Sequence, residues 1–246
     1  MKANTDGKAS PSTAVAVVAP PEGILKTETV SEAVSQLVSG KKKSVRLHLE
    51  YQDPLEVELS AFLKSRVLGQ EAAMEKIAKT VASRIAQVGD RHAPLAVIYA
   101  GGPTGVGKTE TALALAEFFL SDSKGYTKVH GEDYQDHHTS RNLFGSPKSY
   151  VGYDDPPKFN EADLCAAHKK ALESGKTHQS VSALPKFSIV LVDEADKMHR
   201  SICQNFLGIF DKGEFELPTG SENNPELTYS KHVDFRQTIF LLTSNA

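Results

Sequence analysis

The clearest indication of the fold of this chain is the sequence Gly102-Pro103-Thr104-Gly105-Val106-Gly107-Lys108-Thr109. It matches the phosphate-binding pattern G-x-x-x-x-G-K-[ST] at every position. The apolar run over residues 95–100 predicts a buried parallel strand before it, and the pattern over 110–120 predicts a helix after it. Glycines in such a loop let backbone N–H groups converge on phosphate oxygens at a helix N-terminus. We therefore expect Lys108 to reach the β- and γ-phosphates of a nucleotide and the Thr109 hydroxyl to bind Mg²⁺.

A second pattern is the apolar, β-branched run over residues 187–193, which ends in Asp193 and Glu194. A buried strand that ends in two carboxylates places them at the carboxyl edge of a parallel sheet, where the phosphate loop also lies. In that setting Asp193 would hold Mg²⁺ through water, and Glu194 would polarise the water that attacks the γ-phosphate. Alone, an apolar run that ends in Asp-Glu is weak support, and it gains weight from the upstream loop.

A third apolar run, over residues 237–243, is followed by Ser244 and Asn245. By itself a Ser-Asn pair indicates only a turn. Beside the other two motifs, Asn245 is expected to orient the attacking water and to touch the γ-phosphate. A further strand is predicted over 126–130. Strands that alternate with helices predict a three-layer α/β/α fold with a mainly parallel sheet.

The composition excludes several classes of protein. The chain has 246 residues, enough for one large domain with a small one, and 39 % of them are hydrophobic. A net charge of −3 gives no general attraction for nucleic acid, and no apolar run is long enough to span a bilayer. The two cysteines, Cys165 and Cys203, are predicted to be buried, reduced thiols, in agreement with a cytoplasmic location.

The region before the loop predicts a tail and a small module. Residues 1–22 read as a disordered tail, and residues 23–60 as a module with one helix and a β-hairpin from the alternation over 45–51 and 55–59. A helix over 54–66 is the alternative, because proline suits a helix start and acidic residues suit a first turn. The polar stretches over 173–186 and 217–232 are expected to be surface insertions.

Three motifs in this order resemble the AAA+ ATPases, and the segments between them resemble the second ATPase ring of the Clp disaggregase and unfoldase branch, with ClpV as the nearest variant. The likeness covers roughly residues 61–246. The sequence RVLGQ over 66–70 resembles the adenine-side motif of the family, which implies base contacts from Val67 and Leu68. The sequence SYVGY over 149–153 resembles its substrate-pore segment, which implies that Tyr150 and Val151 grip a polypeptide. Here a serine stands where the family usually has the first glycine.

The resemblance implies ATP and Mg²⁺ as cofactors, a protein substrate, and a hexameric ring if a lid completes the fold. In the family the arginine finger, a fifth strand and the C-terminal lid all follow the position of Asn245. We therefore expect residues 61–246 to form an incomplete large subdomain, with the lid absent and weak ATPase activity in isolation. The strand over 94–100 would then be an open, apolar sheet edge, which the segment 45–51 is hypothesised to cover.

Three functions are consistent with these patterns. The first is an ATP-hydrolysing module of a Clp-like protein-remodelling motor. The second is a nucleotide-binding interaction module with negligible turnover, since an arginine finger alone contributes about 10³–10⁵ to the rate. The third is an AAA+ nucleic-acid motor or clamp-loader component, which the acidic balance of charge and the Tyr-Val-Gly-Tyr segment disfavour.

Overall fold

The computed structural model describes residues 53–86, 92–147, 155–221, 227 and 229–245. Its α-helices are α1 (Pro54–Arg66), α2 (Glu71–Ile85), α3 (Lys108–Leu120), α4 (Ser140–Phe144), α5 (Glu161–Leu164), α6 (Ala166–Glu173), α7 (Gln179–Ser182) and α8 (Arg200–Lys212). Short 3₁₀ helices cover Gly131–Tyr134, His137–Thr139 and Ala195–Lys197. The strands are β1 (Ala96–Gly101), β2 (Thr127–His130), β3 (Ser188–Asp193), β4 (Glu214–Glu216), β5 (His232–Asp234) and β6 (Thr238–Ser244).

Four of these strands form one parallel sheet in the order β1-β6-β3-β2. Each begins within about one residue of the start that its apolar run predicts. The connections between β1, β2, β3 and β6 pass through helices, as parallel pairing requires. The predicted α/β class with a mainly parallel sheet is confirmed.

Helices cover both faces of this sheet and make three layers. On one face α1, α2 and α3 pack through Leu63, Met74 and Phe119 against the strand residues Ile189 and Ile239. On the other face α8 packs through buried aromatic and aliphatic side chains onto β3 and β6. Both clusters are apolar and closed to water, so each face of the sheet has its own core.

Residues 54–66 form helix α1, so the second strand of the predicted hairpin is wrong and the alternative is correct. The Asp53 side chain accepts a hydrogen bond from the backbone N–H of Leu55 at 2.9 Å, and Pro54 opens the first turn. Leu59 and Leu63 are fully buried, because a spacing of four residues puts both on one side of a helix. Tertiary burial of that side favours the helix over the strand.

The domain boundary expected at residue 61 falls inside α1. The compact unit that holds the sheet extends over Gln52–Ala246. The proposed tail, the helix before residue 40 and the alternating segment 45–51 lie outside the described residues, and so does the hypothesis that this segment covers the sheet edge.

The two stretches expected to be surface insertions are partly built into the core. Within 173–186, helix α7 buries Val181 completely. Within 217–232, Leu217 is fully buried and Tyr229 is 5 % exposed. Leu217 follows β4 and Tyr229 precedes β5, and these two strands pair as an antiparallel ribbon. The ends of that stretch are therefore anchored by apolar side chains.

In the described residues, β1 forms one side of the sheet, and its outer backbone groups face no further strand. Val97 and Tyr99 are 43 % and 65 % exposed. Their partners in register are Phe240 and Leu242, so they point toward the face that α8 covers. Within the described residues, β1 therefore has the exposed, apolar edge that the sequence predicts.

Both cysteines are free thiols. Cys165 is buried as predicted, and Cys203 is only partly buried. Burial raises the pKa of each thiol above its usual value. Within the described residues, the structure contains no helix with both the length and the apolar character needed to cross a membrane.

Candidate nucleotide-binding site

The glycine-rich loop connects β1 to α3 at the carboxyl end of the sheet. Gly107 directly precedes α3 with φ of 93°, a left-handed conformation that side chains disfavour. A Cβ atom at Gly107 would also lie 2.6 Å from the Cγ1 atom of Val67. Gly107 is thus required for two reasons, the left-handed turn and the close contact with the segment after α1. The loop leaves the first N–H groups of α3 facing the space where phosphates bind in such loops.

Lys108 joins this loop to the end of β6. Its Nζ atom donates to the carbonyl oxygen of Pro103 at 3.0 Å and to Oδ1 of Asn245 at 2.8 Å. It also donates to the carbonyl oxygen of Gly102. The first and third motifs, 137 residues apart in sequence, are therefore in direct contact.

Asp193 lies at the end of β3 and is held by groups from both neighbouring strands. The Thr243 hydroxyl on β6 donates to its Oδ1 at 2.6 Å, and Lys128 on β2 places its Nζ 3.0 Å from Oδ2. Burial raises the pKa of the Asp193 carboxyl, but the hydrogen bonds from Thr243 and Lys128 lower it more, so the pKa lies below its usual value. The carboxylate is therefore ionised near neutral pH.

Glu194 has a left-handed backbone conformation, with φ of 55°. Its N–H donates to the Thr243 hydroxyl at 3.1 Å, and its Oε1 accepts from Nδ2 of Asn245 at 2.7 Å. Its Oε2 lies 2.9 Å from Nζ of Lys197. Non-glycine residues in this conformation are uncommon and cluster at functional sites, because the surroundings must enforce them.

Gly131 makes room for this unusual turn. A Cβ atom there would lie 2.0 Å from the carbonyl oxygen of Glu194, closer than any real contact. Lys197 adds a second support, since it also pairs with Glu132, the residue after Gly131. The backbone after β2 and the turn after β3 are therefore fitted to each other around Glu194.

The donor set suits Mg²⁺. Hard divalent cations take oxygen ligands, and Mg²⁺ is commonly held by one or two carboxylates together with substrate phosphates. Thr109 lies in the first turn of α3, and the ionised Asp193 lies at the same edge of the sheet. The Thr109 hydroxyl and the Asp193 carboxylate thus offer two oxygen ligands for Mg²⁺ at the same edge of the sheet as the loop.

An apolar cavity of about 420 Å³ opens beside the loop. It lies between the segment after α1, helix α2, strand β1 and the start of α3. Its lining includes Val67, Gln70, Met74, Ile77, Tyr99, Gly107, Lys108 and Thr111. Val67 lines the cavity, whereas Leu68 is 81 % exposed and is not among the lining residues. The base contacts that the resemblance implies for both residues stay a prediction.

Sequence reasoning missed several residues of this site. Met74 and Ile77 belong to an ordinary helix pattern, and only the packing of α2 beside β1 brings them to the cavity. Lys128 and Thr243 lie on strands β2 and β6, and no sequence pattern shows that these strands flank β3. Their contacts with Asp193 therefore could not be predicted from the sequence. Tyr150 and Val151 lie outside the described residues, and their expected role in a substrate pore stays a prediction.

A strand, a glycine-rich loop and a helix, with carboxylates and an asparagine at the same sheet edge, define a P-loop protein of the nucleoside-triphosphate-binding class. Residues 93–246 match the family described as "AAA domain (Cdc48 subfamily)", which is more than half of the chain. The chain belongs to this AAA family.

Similar proteins indicate to which branch of the AAA family the chain is related. The chain is 35 % identical to the chaperone protein ClpB of Yersinia enterocolitica over 189 residues, which cover 77 % of this chain and 18 % of ClpB. It is 33 % identical to the AAA+ ATPase ClpV1 of Pseudomonas aeruginosa over 190 residues, again 77 % of this chain and 18 % of the relative. It is 32 % identical to ClpB of Bdellovibrio bacteriovorus over 225 residues, or 90 % of this chain and 23 % of the relative.

The resemblance to the Clp branch is confirmed, and ClpB and ClpV1 match the chain about equally well. The chain spans about a fifth of the length of these relatives.

Proposed function

We propose that this chain is an ATP-binding and ATP-hydrolysing AAA+ module of a Clp-like motor that unfolds or disassembles proteins. The observation that carries the proposal is the hydrogen-bonded chain from Lys108 through Asn245 to Glu194. It connects a phosphate-binding cation to a carboxylate that suits a general base. These groups come from three separate elements and meet where the γ-phosphate of a bound nucleotide would lie.

The chemistry of this module follows from the residues at the sheet edge. The N–H groups of the loop bind the phosphates, and Lys108 stabilises charge on the γ-phosphate oxygens. Thr109 and Asp193 would hold Mg²⁺, which supplies further neutralisation of phosphate charge. Glu194 accepts a hydrogen bond from the attacking water and Asn245 orients that water toward the phosphorus. Val67 and the apolar cavity beside the loop contact the base.

The names of the relatives support a protein substrate, because ClpB is described as a chaperone. By the same likeness we propose a hexameric ring, a cytoplasmic location, and a pore in which Tyr150 and Val151 contact the substrate. A complete ring would require the lid and the arginine finger that the family carries after the position of Asn245. These whole-motor properties rest on relatives that the matched part of this chain covers to only 18 % of their length.

A second candidate is a module that binds nucleotide but turns it over slowly by itself. The observation that favours it is the state of Glu194, whose two carboxylate oxygens already bond Asn245 and Lys197. A carboxylate engaged in this way is less available to a water molecule. A turnover rate for the isolated chain that equals that of a complete Clp motor would exclude this candidate.

Titration with ATP and Mg²⁺ tests the leading proposal. Lys108→Ala is expected to weaken ATP binding about 10- to 100-fold, because a hydrogen bond to a charged group contributes about 1.5–3 kcal/mol. Lys124→Ala, at a turn after α3, is the matched control and should bind as the unaltered protein does. Glu194→Gln should keep binding and lose hydrolysis.

The proposal is wrong if Lys108→Ala binds ATP as tightly as the unaltered chain. It is equally wrong if the Glu194→Gln protein hydrolyses ATP at the full rate, since the general base would then be another group.

A further inference from the structure

Arg66, the last residue of α1, is bound to the helix that follows the phosphate loop. Its Nε and Nη2 atoms donate to Oε1 of Glu110 at 3.1 and 3.0 Å, and its Nη1 atom lies 2.7 Å from Oε2 of Glu117. All three guanidinium nitrogens are thus used. The two glutamates are seven residues apart on α3, so they lie on the same side of that helix two turns apart.

The residue after Arg66 makes the second contact with the loop. Val67 packs so closely on Gly107 that a Cβ atom there would lie 2.6 Å from its Cγ1. The N–H of Val67 donates to the carbonyl oxygen of Leu63 at 2.9 Å and so continues the last turn of α1. Beyond Val67 the chain passes through Leu68 and Gly69, which has φ of 75°, before α2 begins. The position of Val67 therefore depends on where the end of α1 is held.

The connection borders the apolar cavity at the point where the cavity meets the loop. Val67 and Gln70 line the cavity on this side, and Gly107 and Lys108 line it on the loop side. A nucleotide whose phosphates bind the loop has its base within reach of this cavity. The distance between the cavity wall and the loop then decides whether base and phosphates are contacted together.

We propose that Arg66 is a positioning residue for the nucleobase: its bridge to Glu110 and Glu117 holds the Val67 wall of the cavity at a fixed distance from the phosphate loop. The inference rests on the proposed function, because it assumes that the loop binds ATP. It assigns base affinity to a side chain that touches neither base nor phosphate.

The stability of the fold is not the main role of this bridge. The side chains of Arg66, Glu110 and Glu117 are each between 35 % and 37 % exposed. Exposed ion pairs contribute little to the free energy of unfolding. The guanidinium instead fixes the position of the end of α1 relative to α3, because its planar fork bonds two carboxylates at once and a lysine ammonium does not.

The test compares ATP and ADP with inorganic tripolyphosphate, which carries phosphates and no base. Arg66→Met removes the bridge by deleting its positive charge, and the double variant Glu110→Gln with Glu117→Gln removes it by deleting its negative charges. Both should weaken ATP and ADP about tenfold relative to tripolyphosphate, because the freed residues must be ordered again on binding.

The two variants change the local charge in opposite directions, so they separate geometry from electrostatics. An electrostatic role would strengthen the binding of all three anions in one variant and weaken it in the other. The matched control is Lys64→Met, which breaks the exposed pair of Lys64 with Glu75 between α1 and α2 and should leave the ratio of affinities unchanged. Arg66→Lys keeps the charge and should give a smaller loss than Arg66→Met.

Equal weakening of ATP and tripolyphosphate, or opposite shifts in the two bridge variants, would overturn the inference while leaving the proposed function intact. An unaltered protein that binds neither ATP nor tripolyphosphate would overturn the proposed function, and the inference would fall with it. Thermal unfolding of each variant establishes that the protein measured is folded.

Discussion

The carboxyl end of the sheet and the outer side of β1 differ in how their polar groups are paired, although β1 contributes to both regions. At the carboxyl end the polar side chains of Lys108, Asp193, Glu194 and Asn245 each have partners within hydrogen-bond distance. Along the free side of β1, apolar side chains are exposed and, within the described residues, the outer backbone groups face no strand.

The two regions differ in whether their polar groups find partners among the described residues. Polar groups withdrawn from water are costly unless they are paired, and the partly buried Asp193 and Glu194 are paired with neighbouring side chains at the carboxyl end. An open strand edge is a template for pairing with another chain. The polar groups at the carboxyl end of the sheet are thus paired with one another, whereas within the described residues the outer backbone groups of β1 face no strand.

Thr243 offers the most direct way to break the network at the carboxyl end. Thr243→Val keeps the shape but removes the hydroxyl that donates to Asp193 and accepts from the N–H of Glu194. We expect ATP hydrolysis to fall about 10- to 100-fold, which corresponds to about 1.4–2.7 kcal/mol at the transition state. The free energy of unfolding should fall by about 1–3 kcal/mol, because the partly buried Asp193 carboxylate and Glu194 N–H each lose a hydrogen bond.

The matched control lies at the other end of the same strand. The Thr238 hydroxyl bonds that of Ser188 at 2.8 Å, far from the loop, and Thr238 is buried to the same degree as Thr243. Thr238→Val should therefore lose similar stability and keep full hydrolysis per folded molecule. A similar loss of hydrolysis in both variants would show that Thr243 acts only through stability.

Gly131 tests the backbone turn of Glu194 with a smaller change. Gly131→Ala places a methyl group against the Glu194 carbonyl and should move that residue out of its left-handed conformation. We expect hydrolysis to fall about tenfold with ATP affinity nearly unchanged, since about 1.4 kcal/mol of positioning is lost. Rates at saturating ATP and binding isotherms measure the two separately.

Gly208 in α8 provides the control for Gly131, because its added Cβ atom would meet nothing within 4 Å. Gly208→Ala should stabilise the protein by about 0.5–1 kcal/mol, as alanine does inside a helix, and leave hydrolysis alone. Full hydrolysis in Gly131→Ala would mean that Glu194 does not need its observed conformation.

The free side of β1 should respond to charge. Tyr99→Lys adds a positive charge to the exposed edge and is expected to reduce self-association of the isolated chain, as lysine does on natural edge strands. Sedimentation velocity over a range of concentrations measures this. Leu207→Lys is the comparison, because Leu207 is 64 % exposed but lies on helix α8, whose backbone is paired. Equal effects of the two changes would assign the association to apolar surface and not to the strand edge.

Local patterns predicted the fold because its strands are short, apolar and followed by distinctive polar residues. The runs that lead to Gly102, Asp193 and Asn245 needed no tertiary information. Residues 54–66 did need it, because the alternation of Leu55, Val57 and Leu59 fits a strand, and only the burial of Leu59 with Leu63 decides for the helix.

The residues of the site that belong to a sequence motif could be predicted. The contacts that depend on the order of the strands in the sheet could not. Lys108 and Asp193 follow from their motifs alone. The contacts of Asp193 with Lys128 and Thr243 depend on β3 lying between β2 and β6, which the chain order of the strands does not reveal. The bridge from Arg66 to α3 depends in the same way on how α1 packs.

The cavity beside β1 has a consequence for chemical inhibition. Part of its wall comes from the phosphate loop and part from the open strand, since Gly107, Lys108 and Tyr99 all line it. Its apolar part is separate from the site for phosphates, so a small uncharged compound that fills it would compete with nucleotide without imitating a triphosphate. Such a compound could be extended with an amide group toward β1, whose outer backbone groups face no strand within the described residues. Its affinity would then depend on hydrogen bonds to the strand backbone, which substitutions of side chains in the cavity do not remove.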